Sequence, residues 1–366
     1  MIEKKIKYLY KRIIQKIFIL IYGKISVLKK NKSKLTINKI NSGISNPQSN
    51  LKYQIYEIEN ARIFTDNHEN VAIIKNNMIV PKISFQQIKG SLKNIKFNSV
   101  INKGTNSFVK KISGCVFNLA QGGSGNNYFH FMFDIIPKIF ILKSKKDLSE
   151  IDFYYVSSPK KWQIKIFNMI GIKYKQLLNS EIYNHIKANK IISVDHPWYY
   201  SGEIQNNVKN IPKWIINLHR GNFLKESSYI KSNKKIFLDR SGSEYNHCQI
   251  ENLDEIKILL KKNNFQILKP EKISLKKQIH IFKNASIIIG AHGASFTNII
   301  FCKTATKIIE IIPIDHPNRK CETISKFLKL RYSRIKTKQN NFDKNYPFKI
   351  FLEEKHLKQI QKIIDL

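Results

Sequence analysis

A glycine-containing turn late in the chain has the residue types and spacing needed to bind an anion. The apolar run at residues 287–289 is too short for a helix and is bounded by Gly290, which favours a buried strand. The turn at 290–294 then leads into residues 295–302, which a helix could occupy. Backbone N–H groups can approach a phosphate closely at such a turn, and the helix dipole adds positive potential there. The pattern predicts a phosphate or pyrophosphate site, although a tight βα turn without a ligand would use the same glycines.

A histidine and an aspartate four residues apart form the second group with chemical potential. Residues 128–138 are predicted to be helical, with Asn127 as the N-cap and with Pro137 kinking or ending the first helical stretch. His130 and Asp134 then share one face of a helix that is otherwise large and apolar. Buried polar groups need partners, so the pair is either a hydrogen bond within the core or a catalytic base at a cleft, tuned by burial and by its neighbour.

Short apolar runs alternate with helix-like stretches, which is typical of βαβ units with parallel strands and helices on both faces. In the first half we predict strands at 113–119, 151–156 and 190–194 and a helix at 161–172. In the second half we predict strands at 235–240, 265–268, 287–289 and 307–312 and helices at 253–262 and 274–285. The chain is therefore predicted to be an α/β protein with two Rossmann-like domains, at 35–207 and 208–335. A basic arm at 1–34 precedes them and a helical tail at 336–366 follows.

The basic arm has apolar residues at positions 6, 9, 13, 17 and 20, with lysines between them. This spacing predicts an amphipathic helix that either lies on an anionic leaflet or packs on the protein with solvated lysines. The formal net charge of +38 comes mostly from lysine, spread evenly, and no nucleic-acid-binding motif accompanies it. We therefore expect no nucleic-acid partner.

The cysteines and the hydropathy pattern indicate the compartment. Four scattered cysteines have no spacing for a metal, and reduced thiols in a cytoplasmic protein are expected. We identify no signal peptide and no run long enough to span a bilayer. The predicted location is the cytoplasm, peripheral on the inner face of the membrane if the arm binds lipid.

Three segments, in this order, resemble the motifs of the family 61 glycosyltransferases. NYFHFMFDIIPKI at 127–139 is similar to the upstream motif, and LKKQIHIFKNASIIIGAHGASFTNIIF at 275–301 resembles the family signature. Between them, Arg240 with the later Asn252 resembles the middle motif, in which an arginine ends a strand before an acidic helix. That motif usually has a second arginine, whereas residues 243–247 read SEYNH. The phosphate contact of that arginine is missing unless His247 or a lysine supplies it.

The resemblance, which covers about residues 110–315, implies a GT-B architecture, with the two Rossmann-like domains facing across a cleft. It implies that the second domain holds a nucleotide-sugar donor, most commonly UDP-linked, and that the first binds the acceptor. The expected reaction is inverting transfer of a hexosyl or pentosyl group to a hydroxyl of a growing capsular polysaccharide or lipopolysaccharide. Such a transfer needs one base for the acceptor hydroxyl and positive groups for the departing diphosphate.

The resemblance and the residue chemistry together suggest roles. Arg240 and His292, with the turn at Gly293 and Ala294, are expected to contact the diphosphate, although His292 could instead cap the turn. Asn298 and Glu310 are expected to bind the nucleoside or to order the turn. His130 or Asp134 is the base and the other orients it. No Asp-x-Asp motif is present, so we expect neither a metal nor a cofactor.

Two other functions would use parts of the same sequence. A nicotinamide-dependent oxidoreductase needs Gly-x-Gly-x-x-Gly and an acidic residue about 20 positions later, and the glycine-rich stretch at 122–125 lacks that form. A non-catalytic basic protein that binds membranes or nucleic acid would explain the charge. It would leave the His130–Asp134 pair and the glycine turns without a purpose.

Overall fold

The computed structural model describes most of the chain in a series of segments. The described residues are 2–28, 36–46, 51–66, 70–88, 91–121, 127–198, 211–224, 234–242, 247–314, 316, 318–338 and 349–366. The glycine-rich stretch at 122–125 and residues 243–246 of the middle motif lie outside them. The chain divides into two compact units, residues 1–207 and 208–366.

The first unit is built on a mixed sheet. Its strands are β1 (Ser26–Val27), β2 (Asn38–Asn46), β3 (Leu51–Asp66), β4 (Asn70–Lys75), β5 (Met78–Ile79), β6 (Phe85–Ile88), β7 (Ser91–Lys93), β8 (Lys110–Asn118), β9 (Phe153–Val156), β10 (Leu177–Asn179) and β11 (His185–Val194). Strands β11, β8, β9 and β10 are parallel neighbours in that order. On the other side of β11, strands β3, β4 and β5 continue the sheet with antiparallel pairing. The predicted parallel sheet therefore accounts for only part of this unit. Hairpins, which need only short turns, build the rest.

Among the described residues, five α-helices accompany this sheet. They are α1 (Ile2–Tyr22), α2 (Ser99–Lys103), α3 (Tyr128–His130), α4 (Ile136–Lys143) and α5 (Lys161–Met169). A π-helical turn, Phe131–Ile135, joins α3 to α4. Pro137, expected to kink or end this helix, instead lies in the first turn of α4, where a missing N–H is tolerated. The irregularity precedes the proline, as a π-helical turn.

The second unit has a five-stranded parallel sheet with the order β13-β12-β14-β15-β16. The strands are β12 (Lys234–Leu238), β13 (Phe265–Leu268), β14 (Ala285–Ala291), β15 (Lys307–Pro313) and β16 (Arg331–Thr337). The helices are α6 (Lys213–Phe223), α7 (Leu253–Lys262), α8 (Leu275–Asn284), α9 (Lys320–Leu328) and α10 (Glu354–Asp365). Isoleucine side chains in β14 and β15 are buried on both faces of the sheet, as a parallel sheet covered by helices requires.

The segment after the glycine turn differs from the helix that the sequence predicts. It is a 3-10 helix, Ala294–Phe301, which packs against α8 and is buried over most of its length. Such a helix makes i to i+3 rather than i to i+4 hydrogen bonds, with poorer hydrogen-bond geometry than an α-helix has. Among the described residues, no helix of either unit is long and apolar enough to span a membrane.

Candidate functional site

The carboxyl ends of the central strands of the second unit bring polar side chains to one edge of the sheet. Arg240 follows β12, His292 follows β14 and His316 follows β15. The parallel register aligns these strand ends, with Leu238 opposite Gly290 and Ala291 opposite Ile311. This edge is where open α/β sheets bind ligands.

Arg240 lies directly against the glycine turn. A Cβ atom added to Gly293 would come within 1.2 Å of the Arg240 Nη1 atom, so only glycine leaves room for the guanidinium. The φ of Gly293 is 173°, which any residue can adopt, so the close approach rather than the backbone conformation requires glycine here. Arg240 Nη2 donates to the His247 carbonyl at 3.1 Å, while its Nε is buried with no hydrogen-bond partner. The guanidinium thus has a donor available for an anionic ligand.

His292 is held in place by Glu310 and its neighbours. The His292 Nδ1 lies 2.5 Å from Glu310 Oε1, and the Tyr332 hydroxyl donates to Glu310 Oε2 at 2.5 Å. Burial alone would raise the pKa of Glu310, but hydrogen bonding and charge from His292, with donors from Cys321 and Tyr332, lower it. A carboxylate at Nδ1 fixes the ring orientation, so Nε2 is the His292 atom left to contact a ligand.

Two further histidines pack beside His292. His316 Nε2 lies 3.1 Å from His247 Nε2, and the His316 and His292 ring centroids are 4.4 Å apart. Burial is the largest cause that lowers the pKa of His247 to about 4 and that of His316 to about 3. Both rings are neutral near pH 7, so they contribute hydrogen bonds rather than charge.

Cationic side chains surround this ring cluster. Lys320 is buried, and burial lowers its pKa. Arg334 donates from Nη2 to the His316 carbonyl at 2.9 Å, while its Nε and Nη1 are buried without a hydrogen-bond partner. Together with Arg240 they place three cations near the buried Glu310, the carboxylate that contacts His292. Arg240 and Arg334 are partly buried and keep unpaired guanidinium atoms, to which an anionic ligand could bind.

The remaining residues expected at this site have different surroundings. Ala294 begins the 3-10 helix directly after Gly293. Asn298 is fully buried, and its Nδ2 donates to Gln278 Oε1 on α8 at 2.5 Å. The structure thus brings Arg240, His292, Gly293 and Glu310 together, whereas the Asn298 amide links two helices.

The same cluster offers two sets of atoms that could hold a metal ion. One set is His247, Cys248 and His316, and the other is His292, Glu310 and Cys321. In each set the ligand atoms lie within 4.8 Å of one another. Several of these atoms already bond to each other, which satisfies them without an ion. The absence of a metal therefore stays a prediction.

In the first unit, His130 and Asp134 are in direct contact. Asn127 caps the helix by accepting from the backbone N–H groups of Phe129 and His130. His130 Nδ1 lies 2.9 Å from Asp134 Oδ2. The His130 side chain is 23% exposed, whereas that of Asp134 is fully buried. An acceptor could therefore reach the histidine but not the aspartate.

Three more side chains hold the Asp134 carboxylate. Trp198 Nε1 donates to Oδ1 and Gln121 Nε2 donates to Oδ2, each at 2.7 Å. His196 Nε2 lies 3.7 Å from Oδ2, and Lys138 Nζ donates to Gln121 Oε1 at 2.7 Å. The carboxylate is thus satisfied on both oxygens, as a buried charge requires.

Burial and these contacts set the protonation states. Burial would raise the pKa of Asp134, but the charges and hydrogen bonds of His130 and His196 lower it well below its usual range. Burial, the largest cause, lowers the pKa of His196 to about 4 and that of Lys138 to about 8. Near pH 7, Asp134 is ionised and orients His130, leaving His130 Nε2 as the atom that could exchange a proton.

The sequence motifs do not include Gln121 and His196, but the positions of these residues after predicted strands could have identified them. Gln121 follows β8 and His196 follows β11, and these parallel strands are neighbours. Polar residues just after adjacent parallel strands meet at one edge of the sheet, so this rule would have placed both near Asp134. No comparable signal marks Arg334, which lies within a strand.

Comparison with known proteins points to one family. A family model described as "Glycosyltransferase 61" matches this chain from residue 128 to 309. This segment is therefore similar to a glycosyltransferase 61 domain. The segment contains His130, Asp134, Arg240 and His292, and it ends one residue before Glu310.

One curated relative and two solved structures complete the comparison. A beta-1,2-xylosyltransferase of Arabidopsis thaliana is 40% identical over 60 residues, which is 16% of this chain and 11% of the relative. The chain thus matches only about a tenth of that relative's length. The dodecameric iron-containing heptosyltransferase TibC, in complex with ADP-D-beta-D-heptose, aligns with a TM-score of 0.30, 10% identity and coverage of 82% of this chain and 84% of that chain. A flavo di-iron protein of Thermotoga maritima aligns with a TM-score of 0.25, 11% identity and coverage of 91% and 98%. Structural likeness this weak supports no inference about function.

Proposed function

We propose that this protein is an inverting glycosyltransferase that moves a sugar from a nucleotide-sugar donor to a hydroxyl of a saccharide acceptor. The observation that carries the proposal is the contact of Arg240 with Gly293 at the turn, which leaves a buried guanidinium nitrogen unpaired within the segment that matches the glycosyltransferase 61 model. A diphosphate has the charge and the acceptor oxygens that this cluster lacks. UDP is the nucleotide that the family resemblance favours.

The donor diphosphate is assigned to the second unit. Arg240 and Lys320 neutralise its charge, and His292, protonated while the anion is bound, donates from Nε2 to a phosphate oxygen. Lys320 and His247 supply the phosphate contact that the second arginine of the family motif would make. Because these groups bear the charge of the departing diphosphate, transfer needs no metal ion.

The base is assigned to His130 in the first unit. As the acceptor oxygen bonds to the anomeric carbon, the bond from that carbon to the diphosphate oxygen breaks, and the configuration inverts. His130 Nε2 takes the acceptor proton, and ionised Asp134 stabilises the resulting imidazolium through Nδ1–H. Support for this order of roles is the exposure of His130 and the complete burial of Asp134.

The acceptor that we propose is a growing capsular polysaccharide or lipopolysaccharide, as the family resemblance suggests. We place the reaction in the cytoplasm, the compartment that suits four free thiols, three of them buried. The hexosyl or pentosyl nature of the transferred group follows from the donor, which the first experiment identifies.

Calorimetric titration with UDP, GDP, CMP and NAD, each with and without Mn²⁺, tests the proposal. We expect UDP to bind without Mn²⁺, and Arg240→Ala to weaken binding by about 1.5–3 kcal/mol, the worth of a hydrogen bond to a charged group. Arg331→Ala, which removes an exposed arginine from β16, is the matched control and should bind as the wild type does. Binding of NAD alone, or of no nucleotide, would contradict the proposal.

A further inference from the structure

The helix α1 is fixed to the first unit by one of its faces. Phe18 is only 8% exposed and packs edge-to-face against Phe108, with ring centroids 5.0 Å apart. The Tyr22 hydroxyl accepts from the Val109 backbone N–H at 3.0 Å, and its ring packs against His185 at 5.2 Å. These contacts hold the C-terminal half of α1 in a defined orientation.

The opposite face of α1 is apolar and exposed. Positions 6, 9, 13, 17 and 20 recur at three- and four-residue spacing and therefore form one stripe. Phe18 follows Leu9 by nine residues, which at 3.6 residues per turn places the two on opposite sides of the helix. The stripe consists of large side chains that are between 43% and 85% exposed: Ile6, Leu9, Ile13, Ile17 and Leu20.

This exposure is concentrated on one element. Of the eighteen large hydrophobic side chains that are exposed among the described residues, eight belong to α1. The stripe lies next to two more of them, Tyr10 and Ile21. Aromatic rings with a polar hydroxyl suit the boundary between lipid headgroups and acyl chains. An apolar surface of this kind marks an interaction site.

Basic residues flank one edge of the stripe. Lys5, Arg12 and Lys16 lie three or four residues from members of the stripe and are exposed, and Glu3 is the one acidic residue of the helix. Lysine and arginine can lay their methylene chains along apolar surface while their charged ends reach phosphate groups. Two copies of this chain meeting through α1 would instead bring two basic helices together. The charges therefore favour an anionic partner over a second copy.

We propose that α1 is a docking helix that lies in the plane of an anionic lipid bilayer, with its stripe inserted among the headgroups. The helix does not cross the bilayer. The face that packs on the first unit points away from the lipid, so the rest of the protein stays in water. This proposal is independent of the transferase reaction, since it involves no residue assigned to donor or base.

Flotation of the full-length protein with vesicles tests this docking. The probes are vesicles of phosphatidylcholine alone and vesicles of phosphatidylcholine with roughly 30 mol% phosphatidylglycerol, which gives the surface a negative potential like that of an anionic leaflet. We expect at least about tenfold stronger partition onto the anionic vesicles, falling with added salt because the lysine contacts are screened. The variant Leu9→Gln/Ile13→Gln/Leu20→Gln keeps every charge and should lose at least about tenfold in partition.

A matched control removes equally exposed apolar side chains elsewhere. Tyr174→Gln/Ile182→Gln/Ile258→Gln leaves α1 unchanged and should partition as the wild type does. Thermal unfolding shows whether both variants are folded, and nucleotide titration, measured separately, distinguishes failure of docking from failure of the proposed transferase. Equal binding of wild type to both vesicle types, or unchanged binding of the α1 variant, would overturn the proposal. So would a change from dimer to monomer in the α1 variant with vesicle binding unaltered, which would assign the stripe to self-association.

Discussion

His130 and His292 are each held through Nδ1 by a buried carboxylate, which leaves Nε2 as the reactive or ligand-binding atom. The two pairs differ in what surrounds them. Asp134 is enclosed by neutral and weakly basic donors, and its histidine is partly exposed. Glu310 lies among cations, and His292 is buried. The first arrangement suits proton transfer with an acceptor, and the second suits contact with an anion.

Replacing Asp134 tests the first arrangement. Asp134→Asn removes the charge that stabilises a protonated His130, so we expect turnover to fall by about 10²–10⁴, the usual worth of general base catalysis. Nucleotide affinity should stay within twofold of wild type, on the order of experimental scatter for an unrelated site. Initial rates with the donor found by calorimetry measure the first effect. Asp254→Asn, at a fully solvated carboxylate, is the control. Full activity in Asp134→Asn would rule out this role.

A single methyl group tests the second arrangement. Gly293→Ala places a Cβ where Arg240 Nη1 lies, so the guanidinium must move and donor binding should weaken about as much as in Arg240→Ala. No backbone strain accompanies the change, because the φ of Gly293 is extended. Gly221→Ala, at a helical position with open space around its Cβ, is the matched control and should stabilise by up to about 1 kcal/mol. Calorimetry and thermal unfolding separate the two outcomes. Unchanged binding in Gly293→Ala would contradict a donor contact by Arg240 from the position that its guanidinium holds here.

At the scale of elements, the sequence predicts those parts whose periodicity is strong. The isoleucine runs in β14 and β15 and the amphipathic helices α7 and α8 lie close to where the pattern puts them. By contrast, β16 reads RYSRIKT, in which charges interrupt the apolar alternation, so no strand is predicted there. Arg334 and Lys320 come from β16 and α9, and they were therefore missed. The site is completed by topology, which brings together residues far apart in sequence.

The link between α8 and the 3-10 helix gives a prediction at this scale. Asn298 and Gln278 form a buried amide pair, and Gln278 Nε2 also donates to the Pro270 and Ile273 carbonyls. Removing either amide leaves buried groups unpaired, so Asn298→Ala should cost about 1–3 kcal/mol of stability. In a double-mutant cycle with Gln278→Ala, we expect a coupling of about 0.5–3 kcal/mol, as for residues in contact.

Chemical denaturation measures this coupling, and nucleotide titration of the same variants gives a second readout. If Asn298 orders the turn, both variants weaken binding in proportion to the stability that they lose. A large loss of nucleotide affinity in Asn298→Ala alone, with no coupling to Gln278, would instead place Asn298 in contact with the nucleoside.

For the whole molecule, the charge of +38 means that every proton taken up at acid pH adds to an existing repulsion. Buried histidines add a separate sensitivity to acid. Burial is the largest cause that lowers the pKa of His185 and His196 to about 4 in the first unit, and that of His247 and His316 to about 4 and 3 in the second. His185 shows why: its Nδ1 donates to the Ser107 carbonyl, while its Nε2 is buried with no partner and near Arg62.

The sign of the effect follows from these lowered values. Between pH 6.5 and pH 4 these histidines bind protons in the unfolded chain but not in the folded protein. Their contribution to stability is therefore complete above about pH 6.5 and decreases as the pH drops towards 4. A histidine with a pKa near 4 in the folded protein should lower the free energy of unfolding by about 2 kcal/mol between pH 7 and pH 5. Urea denaturation at both pH values measures the loss. In His185→Asn, whose amide can still donate to Ser107, the loss should shrink by about that amount.

General repulsion among surface charges predicts the same sign, but 0.5 M NaCl would screen it, whereas burial of neutral histidines is insensitive to salt. A loss of stability that disappears in 0.5 M NaCl, and that His185→Asn leaves unchanged, would assign the acid sensitivity to the surface charge instead.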